Sequence, residues 1–344
     1  MRILVTGTEG YIGSLLAPIL FKRGHDVVGL DTGYYRDGWL YSRQSDTPLQ
    51  VMSINKDLRN IEKSDLQGFD AVVHLAELSN DPLGQNNPEV TYKINHEGSV
   101  RIAKLCKEVG IERFVYTSSC SVYGAGTSVF LDETSSTNPQ TAYADCKVKV
   151  ERDLSALADD SFSPVYLRNG TAYGASPRMR FDIVLNDLSG LAWTTKNIAM
   201  LSDGSPWRPL VHVLDICKAI YCSLEAPREN IHNQVFNVGD SNANYQIREI
   251  AEIVGAEFPG CTVSFGDSTG DNRSYRVNFE KINTQLPGFS CDWNAEKGAK
   301  QLRSVFEQIA MSEDTFKAKP FTRLKQLKYL IETQQIDGEF FWKV

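Results

Sequence analysis

No apolar run in this 344-residue chain approaches the roughly 18 residues that span a bilayer, and Met1-Arg2 leads straight into the strand-like Ile3-Leu4-Val5 with no signal-peptide pattern. The expectation is a cytoplasmic protein with no membrane partner. Basic charge is scarce as well: 36 Lys plus Arg against 43 Asp plus Glu leave −7, which offers no footprint for nucleic acid. The seven cysteines, at 106, 120, 146, 217, 222, 261 and 291, are odd in number and contain no Cys-x-x-Cys, so they read as reduced thiols and not as a disulfide framework. The five histidines, at 25, 74, 96, 212 and 232, never pair at i, i+3 or i+4 and no carboxylate cluster joins them at ligand spacing, so no metal is expected. Internal repeats and low-complexity tracts are also missing. What remains, 42% hydrophobic and 23% charged, is a globular composition long enough for one large or two small cores.

Strand-like and helix-like segments alternate through the first half. Ile3 to Thr6 is a short apolar run closed by glycines, Tyr11 to Arg23 has helical spacing, and Val27 to Leu30 is a second run ending at Asp31. Asp70 to Leu75 and Arg113 to Thr117 are further strands separated by a helix over Val90 to Val109, and Pro164 to Leu167 is a sixth strand. Nearly all-apolar strands alternating with helices predict a Rossmann-type doubly wound parallel α/β sheet. Beyond about residue 170 the pattern loosens, with helices near Asp182 to Trp193 and Gln246 to Gly255, a strand at Pro206 to Pro209, and a basic-apolar segment from Phe321 to Ile331. The expected division is a dinucleotide domain over 1–173, with returns near 207–240, and a smaller discontinuous cap mainly over 174–344.

Gly7, Gly10 and Gly13, with Tyr11 and Ile12 between them, stand between the first strand and the first helix. Glycine permits left-handed angles and close backbone approach, while free N–H groups and the positive end of the helix dipole suit a pyrophosphate. Asp31 ends the second strand, where a carboxylate accepts from both adenosine ribose hydroxyls and repels a 2′-phosphate. NAD is therefore the expected cofactor, although Arg36 nearby offers a charge that would tolerate the phosphate of NADP. Leu75 ends the fourth strand, Glu77 follows it directly, and Leu75, Ala76 and Glu77 are expected beside the nicotinamide. Glu77 has two readings, a second acid/base or a loop carboxylate bonded to neighbouring backbone.

Tyr143 and Lys147 are four apart, so both point from one helical face into one cleft. A tyrosine of reference pKa about 10 becomes a useful base when an ammonium and a positive nicotinamide ring favour its phenolate. Upstream, Thr117-Ser118-Ser119-Cys120-Ser121-Val122-Tyr123-Gly124 ends the fifth strand. With the Gly-x-x-Gly-x-x-Gly loop, these elements resemble the extended short-chain dehydrogenases/reductases, specifically the nucleotide-sugar epimerase/dehydratase group related to UDP-glucose 4-epimerase. The resemblance covers nearly the whole chain. It implies that Ser119 hydrogen-bonds the reacting sugar oxygen, that Tyr143 is the acid/base, and that Lys147 binds the nicotinamide ribose and tunes Tyr143. It also implies that Asp57 and Leu58 bracket adenine and that Asn95 supports the active-site architecture on the cofactor side.

The likeness continues through Leu167 to Gly174, with one departure: Thr171 stands where the family pattern has Asn, so Asn169 is expected to share that contact. Leu185-Asn186 and Trp207 to Val213 resemble the segments that hold the nucleoside diphosphate, with Arg208 the first choice for it and Arg273 the second, since a guanidinium suits two phosphate oxygens. The expected substrate contacts are thus Ser79, Cys120, Ser121, Asn169, Thr171, Asn186, Arg208 and Arg273. Cys120 is read either as a packed side chain or as a thiol facing the sugar. The resemblance implies a nucleoside-diphosphate sugar as partner and a homodimer through the helices near 90–109 and 140–158. Family branches that dehydrate or decarboxylate carry acids just after the position of Ser119. Here those places are Cys120 and Ser121, so a 4-epimerase through a 4-keto intermediate is favoured. The alternatives are a dehydratase, a 4-ketoreductase, a reductase of small carbonyl compounds, and a dinucleotide sensor without turnover.

Overall fold

Runs of β-branched and leucine residues settle as strands when helices cover both of their faces. The computed structural model describes residues 1–42, 51–79, 87–124, 130–267 and 274–343. Its first half supplies β1 (Arg2–Thr6), α1 (Gly13–Lys22), β2 (Asp26–Asp31), β3 (Ser53–Asn55) and β4 (Ala71–His74). A long helix α2 then runs from Pro88 through a π-turn at Tyr92–Gly98 to Val109, followed by β5 (Arg113–Ser119), α3 (Ala142–Ser155) and β6 (Ser163–Asn169). The second half supplies β7 (Thr171–Tyr173), α4 (Val184–Thr194), β8 (Trp207–His212), α5 (Val213–Glu225), β9 (Gln234–Val238), β10 (Asn244–Gln246), α6 (Ile247–Glu257), α7 (Ala295–Gln308) and α8 (Arg323–Glu332).

Seven strands form one parallel sheet in the order β9-β6-β5-β4-β1-β2-β3. The doubly wound sheet is therefore observed, with its strand order reversing beside β1, and the run at 235–238 does return to it. Period-two alternation divides each strand between the two faces. Ile3, Val5, Val73 and Val115 pack on one side, and Leu4, Val28, Val72 and Phe114 on the other. The first of these clusters runs without a break into the layer built by α4, α6 and α7, reaching Leu302 and Phe306. A second, three-stranded sheet, β10-β8-β7, stands beside that layer.

The segment at 321–331, expected with the cap, divides: Phe321 packs with the cluster that reaches α4, α6 and α7, and the rest turns away from it. Leu327 and Leu330 of α8, with Ile336 and Phe340 after it, join Tyr34, Leu78, Val90 and Ile94 in a separate buried cluster. Three apart on one helical face, the two leucines find apolar partners on the loops beyond β2 and β4.

One buried ion pair fastens α3 to the sheet. Arg168 on β6 donates to Glu151 from Nε (3.0 and 3.2 Å) and Nη2 (2.6 Å), and Ser118 at the end of β5 donates to the same carboxylate at 2.5 Å. Arg168 also donates to the Tyr123 hydroxyl at 3.0 Å. Removing one member of such a pair strands the other charge and costs about 3–5 kcal/mol. Arg168→Met is accordingly expected to lower unfolding free energy by about that amount in chemical denaturation, and a loss below about 1 kcal/mol would contradict this role for the pair.

Candidate active site

A cavity of about 450 Å³ opens at the carboxyl ends of the strands, where the strand order reverses around β1. Its floor is the turn between β1 and α1. Gly7 has φ of +77°, and a Cβ there would stand 3.0 Å from the Ala76 nitrogen; a Cβ on Gly13 would stand 2.1 Å from the Gly7 oxygen. Glycine alone lets this loop close so tightly on β4. No side chain caps α1, and no acidic residue sits in its first turn, so the positive end of its dipole is left facing the cavity wall formed by Gly10, Tyr11, Ile12 and Gly13.

Asp31 lies at the end of β2, accepting from Gly33 N at 2.7 Å and Glu9 N at 3.0 Å, and burial pushes its carboxyl above the ordinary range. Asp57 and Leu58 line the same end. The Asp57 carboxylate is held by Arg59 through its backbone N (2.8 Å), Nε (2.9 Å) and Nη2 (2.7 Å). Leu75, Ala76, Glu77 and Ser79 line the middle. Asn95 does not reach the wall. It is buried inside the π-turn of α2, accepting from Leu78 N at 2.8 Å and donating to Leu78 O at 3.0 Å, so, expected among the cofactor-side residues, it holds the wall-forming loop from behind and makes no part of the wall itself.

At the far end α3 starts at Thr141, whose hydroxyl accepts from Ala144 N at 3.2 Å, and presents Tyr143 and Lys147 to the cavity opposite Ser119. Lys147 is 4% exposed. Its Nζ lies 2.5 Å from Glu77 Oε2, donates to Thr117 O at 2.5 Å, and sits 5.5 Å from the Tyr143 ring centroid. Burial opposes that charge, but the Glu77 carboxylate and Tyr143 beside it hold the ammonium above its usual range. Burial likewise pushes Glu77 up, against the opposing pull of Lys147. Tyr116 donates to Glu77 Oε1 at 2.7 Å. Of the two readings of Glu77, neither describes this position: it is the counter-ion of Lys147.

On the substrate side Ser121, Asn169, Thr171 and Arg208 line the cavity, joined by Tyr275. Asn169 Nδ2 donates to Ser118 O at 3.4 Å while its buried Oδ1 has no partner among the described residues. Two expected contacts are corrected. Cys120 is buried beneath the wall and donates to Arg168 O at 3.1 Å, and burial pushes its thiol far up, so it does not face the sugar. Asn186 is also buried, accepting from Gly174 N at 2.9 Å and donating to Arg180 O at 3.0 Å and the Tyr11 hydroxyl at 3.3 Å, which commits both of its N–H groups. Arg273 lies outside the described residues. Among the described residues no three metal-ligating side chains cluster, and no helix is long and apolar enough to cross a membrane. The sequence reading missed Arg180 and Arg323, which also line the cavity. The Arg-x-Arg-x-Asp run at 178–182, an unusual charge density beside apolar residues, was a usable signal for the first.

His74 shows what the apolar surroundings do to a charge. It is fully buried between the Thr6 hydroxyl at 2.7 Å and the Ser99 hydroxyl at 2.8 Å. Burial, and then the Lys147 charge, lowers its pKa from 6.5 to about 3.

A model of the NAD dependent epimerase/dehydratase family matches residues 3–239. The chain is 26% identical over 268 residues to a UDP-glucose 4-epimerase of Corynebacterium glutamicum, covering 74% of this chain and 79% of that one. It is 30% identical over 246 residues to the protein CapI of Staphylococcus aureus, covering 66% and 70%. Among solved structures, MoeE5 in complex with UDP-glucuronic acid and NAD superposes with a TM-score of 0.76 at 26% identity, over 90% of this chain and 99% of that one.

Because the folded pKa of His74 lies below its unfolded value, neutral His74 contributes stability that is complete above about pH 6.5 and is lost as pH falls toward about 3. The melting temperature is expected to drop as pH goes from 6.5 to 4. His74→Asn, less stable at pH 7, should show a shallower drop in the same calorimetric series; an equally steep one would mean that His74 is not the titrating group.

Proposed function

The chain belongs to the NAD-dependent epimerase/dehydratase family, and from that premise we propose that it inverts C4 of a nucleoside-diphosphate sugar. The family's cofactor is NAD, and the cradle fits it: the glycines of the β1–α1 turn leave room only a missing Cβ provides, and Asp31 sits where an adenosine ribose would meet it. Gly7, Gly10 and Gly13 with Tyr11 and Ile12 would take the pyrophosphate, Asp57 and Leu58 the adenine, and Leu75 to Glu77 the nicotinamide side. Bound NAD supplies the hydride acceptor and donor for C4.

The chain's own groups do the proton work. Tyr143 takes the proton of the C4 hydroxyl and later returns it, while Ser119 hydrogen-bonds that oxygen and keeps it in reach. Lys147 carries the ammonium that lowers the cost of the phenolate, and its remaining N–H is available to a ribose hydroxyl. Ser121, Asn169, Thr171 and Ser79 would meet the sugar, and Arg208 its diphosphate.

The observation that carries the epimerase reading is the absence of an available acid on the described wall beside Ser119. Cys120 is turned into the core, Ser121 is a hydroxyl, and the Glu77 carboxylate is committed to Lys147. Water elimination needs a proton donor at the leaving oxygen, and inversion of C4 does not. We further propose that α2 and α3 pair with those of a second copy, and that the seven free cysteines reflect a cytoplasmic location.

Incubation with UDP-, dTDP-, GDP- and CDP-sugars, without added cofactor, is expected to give an epimer of unchanged mass. Loss of 18 Da would make the protein a dehydratase, and strict dependence on added NADH a reductase. Tyr143→Phe should lower turnover by on the order of 10²–10⁴ while retaining dinucleotide. Sedimentation at micromolar concentration is expected at twice the 38.5 kDa chain mass, and a monomer would remove the dimer.

A further inference from the structure

Residues 174–182 lie against the glycine-rich turn. The Tyr11 hydroxyl donates to Gly174 O at 2.7 Å, the Ser176 hydroxyl donates to Tyr11 O at 2.8 Å, and the Ser176 and Ser14 hydroxyls are 3.1 Å apart. From this segment Arg180 reaches across to the loop beyond β4. Its Nη1 donates to Ser79 O at 3.2 Å and Ser79 Oγ at 3.1 Å, and its Nε and Nη2 to Asp182 at 2.8 and 3.3 Å. Arg323, the first residue of α8, arrives at the same place. Its backbone N donates to Asp182 Oδ2 at 3.2 Å, its Nη1 and Nη2 to Pro320 O and Arg178 O at 3.2 and 3.4 Å, and its guanidinium lies 4.1 Å from the Tyr35 ring centroid.

Arg180 is 8% and Arg323 3% exposed, and both line the cavity. Of the two guanidinium groups only that of Arg180 is bonded to Asp182; the Arg323 guanidinium meets carbonyl oxygens and a ring face. Arg178 behind them is also buried, its Nη2 4.0 Å from Glu9 Oε2 and its Nε without a partner among the described residues. Burying cations without matching anions is expensive unless a ligand brings the missing charge. Burial, and then the neighbouring Arg180 charge, indeed lowers Arg323 to about 10.

The place of these guanidinium groups points to a ligand. A dinucleotide with its adenosine at Asp31 and its nicotinamide near Tyr143 must cross the glycine-rich turn with its pyrophosphate. Arg180 extends from the segment packed on that turn to Ser79 and lines the same cavity as the glycines. We propose that Arg180 and Arg323 form a cationic clasp for the pyrophosphate of NAD, adding to the positive end of the α1 dipole. Arg323 lies beyond residues 3–239, the part that matches the family model, so half of the clasp is supplied by the C-terminal segment. The inference rests on NAD being the cofactor and is independent of the epimerase reading.

The test is equilibrium binding to nucleotide-free protein, comparing wild type with Arg180→Met and Arg323→Met for NAD, ADP, adenosine and UDP. Each variant is expected to bind NAD and ADP on the order of 10- to 100-fold more weakly, the size expected for losing one charge-assisted partner. Adenosine and UDP should change by less than about twofold, while each Arg→Lys variant should recover part of the loss. Unchanged NAD binding would overturn the clasp. So would a loss confined to UDP, which would assign the arginines to the sugar nucleotide, or an equal loss of adenosine, which would reduce them to struts. Because Arg180→Met strands Asp182, the double variant Arg180→Met/Asp182→Asn, checked by its melting curve, carries the same expectation in a folded protein.

Discussion

The charge on Lys147 is the constraint around which the site is organised. An ammonium buried this deeply is tolerable only with a counter-ion and satisfied hydrogen bonds. Glu77 supplies the first and the Thr117 carbonyl accepts a hydrogen bond, while the Tyr116 hydroxyl donates to Glu77 in turn. Around this pair the chain ties β1, β4, α2, β5 and α3 together, because the Ser99 hydroxyl within reach of Glu77 also meets His74, which in turn meets Thr6. An ammonium has three donors, and two are committed. The third is therefore presented in one direction, which is the kind of preorganisation a proton-transfer site needs.

The frame of the fold was legible because it is written in local patterns. Nearly unbroken apolar strands, the glycine spacing at 7, 10 and 13, and Tyr143 one turn before Lys147 each act within about ten residues. What escaped depends on contacts between distant residues. Glu77 could be read as a loop carboxylate or an acid because its partners Tyr116 and Lys147 lie on other elements. Cys120 and Asn186 stand in segments that do line the cavity, but the turn after β5 and the first turn of α4 aim those two side chains inward. Arg323 carries no local signal at all, since only the tertiary path of α8 brings it to Asp182.

The π-turn of α2 illustrates the same limit. One extra residue per turn at Tyr92–Gly98 rotates Asn95 toward Leu78, where it clamps the loop behind Glu77. Gly98 in that turn lets Leu58 approach, since a Cβ there would stand 3.2 Å from a Leu58 methyl. The helix thereby supports both ends of the cavity, one through Leu58 and the other through the loop that carries Glu77. A period-3.6 reading of 90–109 finds the helix but not the irregularity that makes it useful.

The packing of the C-terminal segment couples the two ends of the chain. Trp342 donates to Thr32 O at 2.6 Å, Glu339 O accepts from Arg59 at 2.7 Å, and Tyr34 donates to Phe340 O, so the loops after β2 and β3 are tied down by residues made some 300 positions later. The cavity end lined by Asp31 and Asp57 is therefore held shut by contacts that only a chain made through residue 342 can supply.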